Sequence, residues 1–143
     1  MKIELQPIGI IHTPFKSLEG VPRQSKEANG IKAEIEIFEP FISGLKDLEG
    51  FSHIILLYYL HKGSSYEMQI IPRDHNELKG LFATRSPRRP NPIGLSVVKL
   101  DKIEKNILHI ENIDALDGTP LLDIKPYFPE LDSHESLKTG WKR

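Results

Sequence analysis

Short runs of strand-forming residues, separated by turn signals, are the sequence feature that most restricts the fold. Residues 31–37 read IKAEIEI, and this alternation of apolar and polar side chains has the two-residue period of a half-buried strand. Residues 51–60 form an almost continuous apolar and aromatic run, which predicts a central strand covered on both faces. Further strands are predicted at 7–12, 68–71, 81–84, 94–103 and 107–113, with a hairpin connection at 104–106.

Helical signals are weak by comparison. Residues 40–48 predict one short helix, because Phe41, Leu45 and Leu48 have helical spacing and Gly50 suits the residue after its end. Residues 134–137 predict one more turn. Many short strands joined by proline- and glycine-containing turns favour an all-β protein, either a barrel or a sandwich, over a fold of alternating strands and helices.

Composition limits the class of protein. A chain of 143 residues is typical of one domain, and the absence of cysteine excludes disulfides, zinc–thiolate sites and a thiol nucleophile. The six histidines lack the spacing of metal ligands, so no metal is expected. The N-terminus lacks the long apolar core of a signal peptide, and the longest apolar run, 54–60, is too short to span a bilayer. We therefore expect a soluble, cytoplasmic protein with no membrane partner.

Several nucleotide and hydrolase motifs are missing from the sequence. It contains no Gly-x-Gly, which removes the Rossmann dinucleotide fingerprint and the glycine-rich loop of Rossmann methyltransferases. A Walker A motif and a Gly-x-Ser-x-Gly nucleophile elbow are also absent. The formal net charge of −1 argues against a general nucleic-acid coat protein but leaves room for a local basic patch.

Such a patch occurs in residues 80–96, which read GLFATRSPRRPNPIGLS. Three prolines within six residues fix φ repeatedly and push the preceding residues towards extended backbone, so the loop is stiff. Arg85, Arg88 and Arg89 lie within five positions, and planar guanidinium groups suit carboxylate or phosphate. The segment is predicted to form part of a binding site for a small molecule or an anion.

Three other segments carry polar groups with two open interpretations each. Asp117-Gly118-Thr119-Pro120 is a turn signal, and Asp117 either caps that turn or accepts hydrogen bonds from a ribose diol or an ammonium group. His61 and Lys62 end the long apolar run and are either ordinary strand-end residues or ligand contacts. Residues 20–26 are either a polar surface loop or part of the site.

Taken in order, five motifs resemble the TsaA/TrmO-like family. They are IGIIHTPF at 8–15, VPRQ at 21–24, FSH at 51–53, FATRS with RPNPIG across 82–94, and DGTP with DIKPY across 117–127. The resemblance spans 8–127, nearly the whole chain. It implies a small antiparallel β-barrel with one or two short helices, unrelated to the Rossmann fold, over residues 1–130. A polar C-terminal tail follows over 131–143.

The resemblance also implies a function. Characterised members bind S-adenosylmethionine near the interface of a homodimer and methylate N6 of threonylcarbamoyladenosine beside the tRNA anticodon. The leading expectation is therefore a tRNA adenine-N6 methyltransferase. Two alternatives stay open: a binding module for S-adenosylmethionine without catalytic activity, and a methyltransferase for a substrate other than tRNA.

Site residues transfer from the family position by position. The implied cofactor contacts are Gln24, Ser25, Lys26, His61, Lys62, Arg85, Leu95, Asp114, Ala115, Leu116 and Asp117. Within this set, we expect Arg85 to hold the cofactor carboxylate, Asp117 its diol or ammonium, and Leu95 its adenine.

The RNA contacts and the proton acceptor are less restricted by the sequence. Phosphate contacts are expected at Arg23, Lys26, Arg88 and Arg89, with Phe15 or Tyr127 as stacking residues. A base would help to remove the N6 proton, and the candidates are Asp114, Asp117, His61 and Tyr127. The sequence does not choose among them.

Overall fold

The computed structural model describes residues 1–17, 29–61 and 65–142. Its strands are β1 (Gly9–His12), β2 (Lys32–Ile37), β3 (His53–Tyr59), β4 (Gln69–Ile70), β5 (Lys79–Gly80), β6 (Ile93–Glu104), β7 (Ile107–Glu111) and β8 (Thr119–Pro126). Its helical segments are three 3-10 helices, at Glu39–Leu45, Leu48–Gly50 and Leu81–Ala83, and the single-turn helix α1 at Pro129–Asp132. Within these ranges, no helix is long and apolar enough to cross a membrane.

Six of the strands close into an antiparallel barrel in the order β1-β2-β7-β6-β3-β8. The barrel closes because β8 pairs with β1, with Gly9 opposite Leu121 and Ile11 opposite Thr119. The remaining two strands, β4 and β5, form a separate two-stranded sheet. The structure confirms the prediction of an all-β fold and selects the barrel over the sandwich.

The alternation in the sequence becomes the division between the inside and outside of the barrel. On β2, Ala33, Ile35 and Ile37 are buried, whereas Lys32 and Glu34 are exposed. On β3 and β6, Ile54, Leu56 and Val98 enter the same core with almost no exposed surface. Burial of these aliphatic side chains is the main source of stability for a barrel of this size.

The long apolar run at 51–60 was predicted to be covered on both faces, and that prediction is wrong for the isolated chain. Residues Ile55 and Leu57 of β3 are only half-buried, and Tyr59 is 43% exposed. The barrel wall is a single layer, and the described residues form no second layer over the outward side chains of β3. Packing within the described part of the chain therefore does not account for their apolar character.

Four other segments differ from the sequence prediction. Residues 81–84 form a 3-10 turn rather than a strand, anchored by the buried Leu81. The helix predicted at 40–48 is divided into two 3-10 segments by Asp47, which has φ of 70°. The turn predicted at 134–137 is found instead at α1, where a proline begins the helix. Strand β8 was not predicted, because Pro120 and Pro126 at its ends disguise it.

Candidate functional site

The segment between β7 and β8 places Asp114 at one end of the barrel. Asn112 adopts φ of 76°, which turns the chain away from β7. The side chains of Ile113 and Ala115 on either side of Asp114 are buried in the core. Asp114 itself is partly exposed. Two apolar neighbours therefore fix the backbone, and the carboxyl group between them lies at the boundary between the core and solvent.

Two hydroxyl groups from separate strands bind one oxygen of this carboxyl group, so three oxygen atoms lie close together. Tyr58 of β3 donates a hydrogen bond from its hydroxyl to Oδ1 of Asp114 at 3.0 Å, and Ser96 of β6 donates to the same atom at 2.5 Å. The two hydroxyl oxygens are themselves 2.7 Å apart. Tyr58 and Ser96 are almost fully buried. We call Tyr58, Ser96 and Asp114 the three-oxygen cluster.

Burial dominates the electrostatics of this cluster. It raises the pKa of Asp114, while the hydrogen bonds from Ser96 and Tyr58 and the positive charge of Arg85 act in the opposite direction. The pKa of Tyr58 is also raised, first by burial and then by the charge of Asp114, so its hydroxyl stays protonated. A carboxyl group with a raised pKa at a partly exposed position is typical of functional sites.

The charge of Arg85 links the proline-rich segment to Asp114. Arg85 and Arg88 are exposed, whereas Arg89 is half-buried and serves its own loop. One nitrogen of the Arg89 guanidinium donates to the carbonyls of Thr84 and Ser86, at 2.9 and 3.1 Å. These bonds add to the stiffness expected from the prolines, so Arg85 is presented from a rigid support.

The C-terminal tail reinforces the same segment from another side. The Trp141 indole donates from Nε1 to the carbonyl of Ala83 at 2.8 Å. Its ring packs edge-on against His75, with 4.8 Å between the ring centroids. Ala83 lies two residues before Arg85. The tail is thus attached to the backbone that leads into the arginine loop.

Asp117 has structural partners in this arrangement. Its Oδ2 accepts from Lys16 Nζ at 2.8 Å, and its Oδ1 accepts from the backbone N–H of Thr13 at 3.0 Å. It also lines a groove of about 640 Å³ together with His12 and His109. The contacts of Asp117 join the turn at 117–120 to residues 13–16.

The other predicted site residues divide into three groups. Leu95, next to Ser96 in β6, points outwards and is 51% exposed, and His61 follows the end of β3 and is half-buried. The side chain of Ala115 lies in the core, and the backbone carbonyl of Ala115 accepts a hydrogen bond from the Thr13 hydroxyl at 2.9 Å. Leu116 is half-buried. The predicted residues that lie outside the described part of the chain are Arg23, Gln24, Ser25, Lys26 and Lys62.

Tyr127, one of the four candidate bases, lies at the opposite end of β3 from the three-oxygen cluster. Its backbone N–H bonds to the carbonyl of His53, the first residue of β3, whereas Tyr58 lies five residues further along. At about 3.3 Å per residue, this separates Tyr127 from the three-oxygen cluster by roughly 16 Å along the strand.

Sequence analysis missed Tyr58 and Ser96. Both occupy inward positions of strands that are otherwise apolar inside, and a polar side chain at such a position needs a buried partner. That pattern could have identified them, although the partner itself could not have been named. Among the residues that the structure describes, no group of acidic, histidine or cysteine side chains could hold a metal ion.

Comparisons with known proteins give a consistent result. Residues 10–133 match the family described as the tRNA-methyltransferase O N-terminal domain. A probable S-adenosyl-L-methionine-binding protein of Pyrococcus abyssi is 53% identical over 95% of this chain and 74% of its own length. A tRNA (adenine(37)-N6)-methyltransferase of Mus musculus is 40% identical over 92% of this chain, which corresponds to 32% of the mouse protein.

Solved structures agree with the sequence relatives. The crystal structure of TrmO from Pseudomonas aeruginosa superposes on this chain with a TM-score of 0.83 and 37% sequence identity. The superposition covers all of this chain and 64% of the Pseudomonas chain. The barrel fold is therefore shared with that protein, and about a third of the Pseudomonas chain lies outside the superposition.

Proposed function

The chain belongs to the tRNA-methyltransferase O family, and on that premise we propose that it methylates N6 of threonylcarbamoyladenosine next to the tRNA anticodon. The observation that carries the proposal is the match over residues 10–133, together with mammalian relatives named tRNA (adenine(37)-N6)-methyltransferases. The chain spans only about a third of the length of those relatives.

S-adenosyl-L-methionine is the cofactor of this family, and it supplies a methyl group on a positively charged sulfur. The described residues fit its chemistry. Arg85 offers an exposed cation for a carboxylate, Asp117 a carboxylate for an ammonium group or a ribose diol, and Leu95 an exposed apolar surface for a purine. We propose the remaining implied cofactor residues, including those outside the described ranges, as further contacts.

Positioning accounts for much of the catalysis in this proposal. Sulfonium is a good leaving group, so the main task of the protein is to hold the acceptor nitrogen in line with the methyl group. The stiff arginine loop and the buried cluster suit that task, because neither loses much freedom when ligands bind. A carbamoyl group makes the N6–H more acidic but its lone pair less reactive, so a proton acceptor adds to the rate.

The RNA contacts are proposed at exposed basic residues. Arg88 is exposed beside Arg85 and is free of the bonds that hold Arg89 to its own loop. A phosphate contact at Arg88 adds to the fall in tRNA affinity with added salt. Arg89, whose guanidinium already binds Thr84 and Ser86, contributes chiefly by fixing the loop on which Arg88 stands. Arg23 is proposed as a further phosphate contact from outside the described ranges.

A homodimer is proposed from the outer surface of β3 and β6. Three cross-strand pairs there present apolar side chains to solvent: Ile55 with Val97, Leu57 with Leu95, and Tyr59 with Ile93. Ile93 is 40% exposed. A second copy covering this surface explains why the outward positions of β3 are apolar, and it places Leu95 at the interface. We call these six residues the apolar stripe.

A second candidate function follows from the names of other relatives. The Pyrococcus abyssi protein and its Archaeoglobus fulgidus counterpart, which is 43% identical over 94% of this chain, are described as S-adenosyl-L-methionine-binding proteins with no reaction stated. A binding protein without transfer activity therefore stays the alternative.

A tRNA methyltransferase would act in the cytoplasm, where we propose that this protein resides.

One experiment separates the two functions. Purified protein is incubated with methyl-labelled S-adenosylmethionine and tRNA from cells lacking the corresponding methyltransferase, and the digested nucleosides are analysed by mass spectrometry. Labelled N6-methyl-threonylcarbamoyladenosine is the expected product. Cofactor binding with no labelled nucleoside would favour the binding protein. Labelling of a protein or a small molecule would indicate another substrate.

A further inference from the structure

The three-oxygen cluster has one more short contact than it has protons when Asp114 is ionised. Its three O···O distances are 2.5, 2.7 and 3.0 Å. The hydroxyls of Tyr58 and Ser96 supply two protons, and an ionised carboxylate supplies none. If both hydroxyls donate to Asp114, the 2.7 Å contact between the two hydroxyl oxygens has no proton in it. Both hydroxyl protons are then committed to Oδ1, so a proton taken up by the carboxyl group goes to Oδ2.

Burial makes the carboxyl group of this cluster a better proton acceptor. Of the described residues, Tyr58 and Arg85 are the titratable groups that act on Asp114, the first by a hydrogen bond and the second by its positive charge. Burial outweighs both and raises the pKa of Asp114. A carboxylate with a raised pKa is a stronger base than an ordinary surface carboxylate.

The geometry also orders the candidate bases. The carboxylate of Asp117 is held by Lys16 and Thr13, which lowers its pKa and weakens it as a base. Tyr127 lies at the opposite end of β3. In Asp114, by contrast, both hydroxyls bind the same oxygen, Oδ1, and no side-chain donor to Oδ2 is found among the described residues. The residue's own backbone N–H also bonds to the carboxyl group. His61 is the remaining competitor, and the experiment below tests it directly.

We infer that Asp114 accepts the N6 proton during methyl transfer and that Tyr58 and Ser96 are positioning residues that fix its Oδ1. The inference rests on the proposed function. In the balanced step, the N6–H bond breaks and the proton passes to Oδ2 of Asp114. The nitrogen electron pair bonds to the methyl carbon, the carbon–sulfur bond breaks, and its electron pair stays on the sulfur. The carboxyl group then returns the proton to water.

The first test removes the acceptor while keeping its shape. Asp114→Asn retains an oxygen that can accept from both hydroxyls but cannot take up a proton. We expect kcat for tRNA methylation to fall at least 100-fold, in the range typical of a lost general base, with a smaller change in KM. His61→Ala, at saturating cofactor, should retain more than a tenth of the wild-type kcat. A large loss of kcat in His61→Ala together with a small loss in Asp114→Asn would assign the proton to His61 and overturn the inference.

The second test distinguishes positioning from general structural support. Tyr58→Phe and Ser96→Ala each remove a donor to Asp114, and loss of a donor raises the pKa of a carboxyl group. The acidic limb of the kcat–pH profile should therefore move to higher pH in both variants, with activity recovering above it. A purely structural defect would lower kcat equally at every pH. The matched controls are Tyr66→Phe and Ser52→Ala, which change the same side chains outside the cluster.

A readout independent of activity completes the design. Carbon-13 NMR of labelled aspartate should show Asp114 titrating above an ordinary aspartate, and further upwards in Tyr58→Phe. An Asp114 that titrates at or below the ordinary range overturns the inference, whatever the activity. An active wild type with an equally active Asp114→Asn overturns it while leaving the proposed function intact. A wild type that methylates no tRNA contradicts both.

Discussion

Tyr58 and Gly94 lie opposite each other on β3 and β6, and the tyrosine ring fills the space that the glycine leaves. A methyl group built onto Gly94 would overlap the ring atoms of Tyr58. The glycine of the proline-rich segment therefore has a packing role: it sets the position of the hydroxyl that binds Asp114.

Gly94→Ala tests this relationship. The added methyl group must displace the Tyr58 ring, so we expect a loss of about 1–3 kcal/mol in the free energy of unfolding and a weakened bond between Tyr58 and Asp114. Urea denaturation measures the first effect and the methylation rate the second. Gly44→Ala is the matched control, because the position is open on all sides. Equal stability of the Gly94→Ala variant and wild type would show that the ring can move without cost.

Arg85→Ala should weaken cofactor binding. A charged hydrogen bond contributes about 1.5–3 kcal/mol, which corresponds to a roughly 10- to 100-fold higher Kd for S-adenosylmethionine. Isothermal titration calorimetry measures the change. Arg88→Ala, on the same loop, should leave that Kd unchanged and weaken tRNA binding instead. If the two variants had the same effect on both ligands, the assignment of Arg85 to the cofactor and Arg88 to tRNA would be wrong.

The contact between Asp117 and Lys16 predicts a pH dependence of stability. The hydrogen bond from Lys16 holds the pKa of Asp117 below its usual range. A carboxyl group with a depressed folded-state pKa stabilises the protein at pH values above its unfolded-state pKa of about 3.9. This stabilisation is lost as the pH falls through the folded-state pKa. Asp117→Asn should therefore cost about 1 kcal/mol at pH 7, and progressively less below pH 4. Urea unfolding at pH 7 and pH 3 measures the difference, and a loss that is equal at both values would contradict the assignment.

The apolar stripe predicts the oligomeric state. Wild-type protein should sediment as a dimer, and Leu57→Glu should sediment as a monomer, because a charge at the centre of the interface would be buried without a partner. Leu137→Glu places the same charge on another exposed leucine and should remain a dimer. A monomeric wild type, or a dimeric Leu57→Glu, would remove the stripe as the interface.

Trp141 predicts a link between the C-terminal tail and the arginine loop. Trp141→Phe keeps an aromatic ring against His75 but loses the hydrogen bond to Ala83. We expect faster amide hydrogen exchange in residues 79–85 and in the tail of 131–143, measured by mass spectrometry. Lys138→Ala is the control in the same tail. Unchanged exchange in 79–85 would show that the tail does not support the loop.

Much of the fold was predictable because the side-chain period of a barrel strand is visible in the sequence. Residues 31–37 alternate between apolar and polar side chains, and over 32–37 the structure buries Ala33, Ile35 and Ile37 and leaves the residues between them at least partly exposed. Strand β8 was missed because prolines are poor local signals for a strand, yet pairing with β1 and β3 holds them there. The error at 51–60 arose because a run of apolar residues does not reveal whether its outer face is covered by the same chain.

The candidate site was predictable only in part. The charge and proline content of 80–96 predict a rigid anion site, and the structure adds two hydrogen bonds from Arg89 to carbonyls of its own loop. The three-oxygen cluster depends on residues 58, 96 and 114, which are distant in sequence and meet only through the pairing of β3 with β6 and the path of the chain after β7. The spacing of residues in one sequence does not predict a contact of this kind.

The closure of the barrel restricts how any partner can bind. Each of the six barrel strands pairs with a neighbour on both sides, so the barrel has no free edge strand. Only short stretches, such as residues 93–98 of β6, pair on one side alone. Recognition of a partner therefore depends chiefly on side chains of the outer wall and on the loops at the rim, which can change while the hydrogen-bonded frame stays the same.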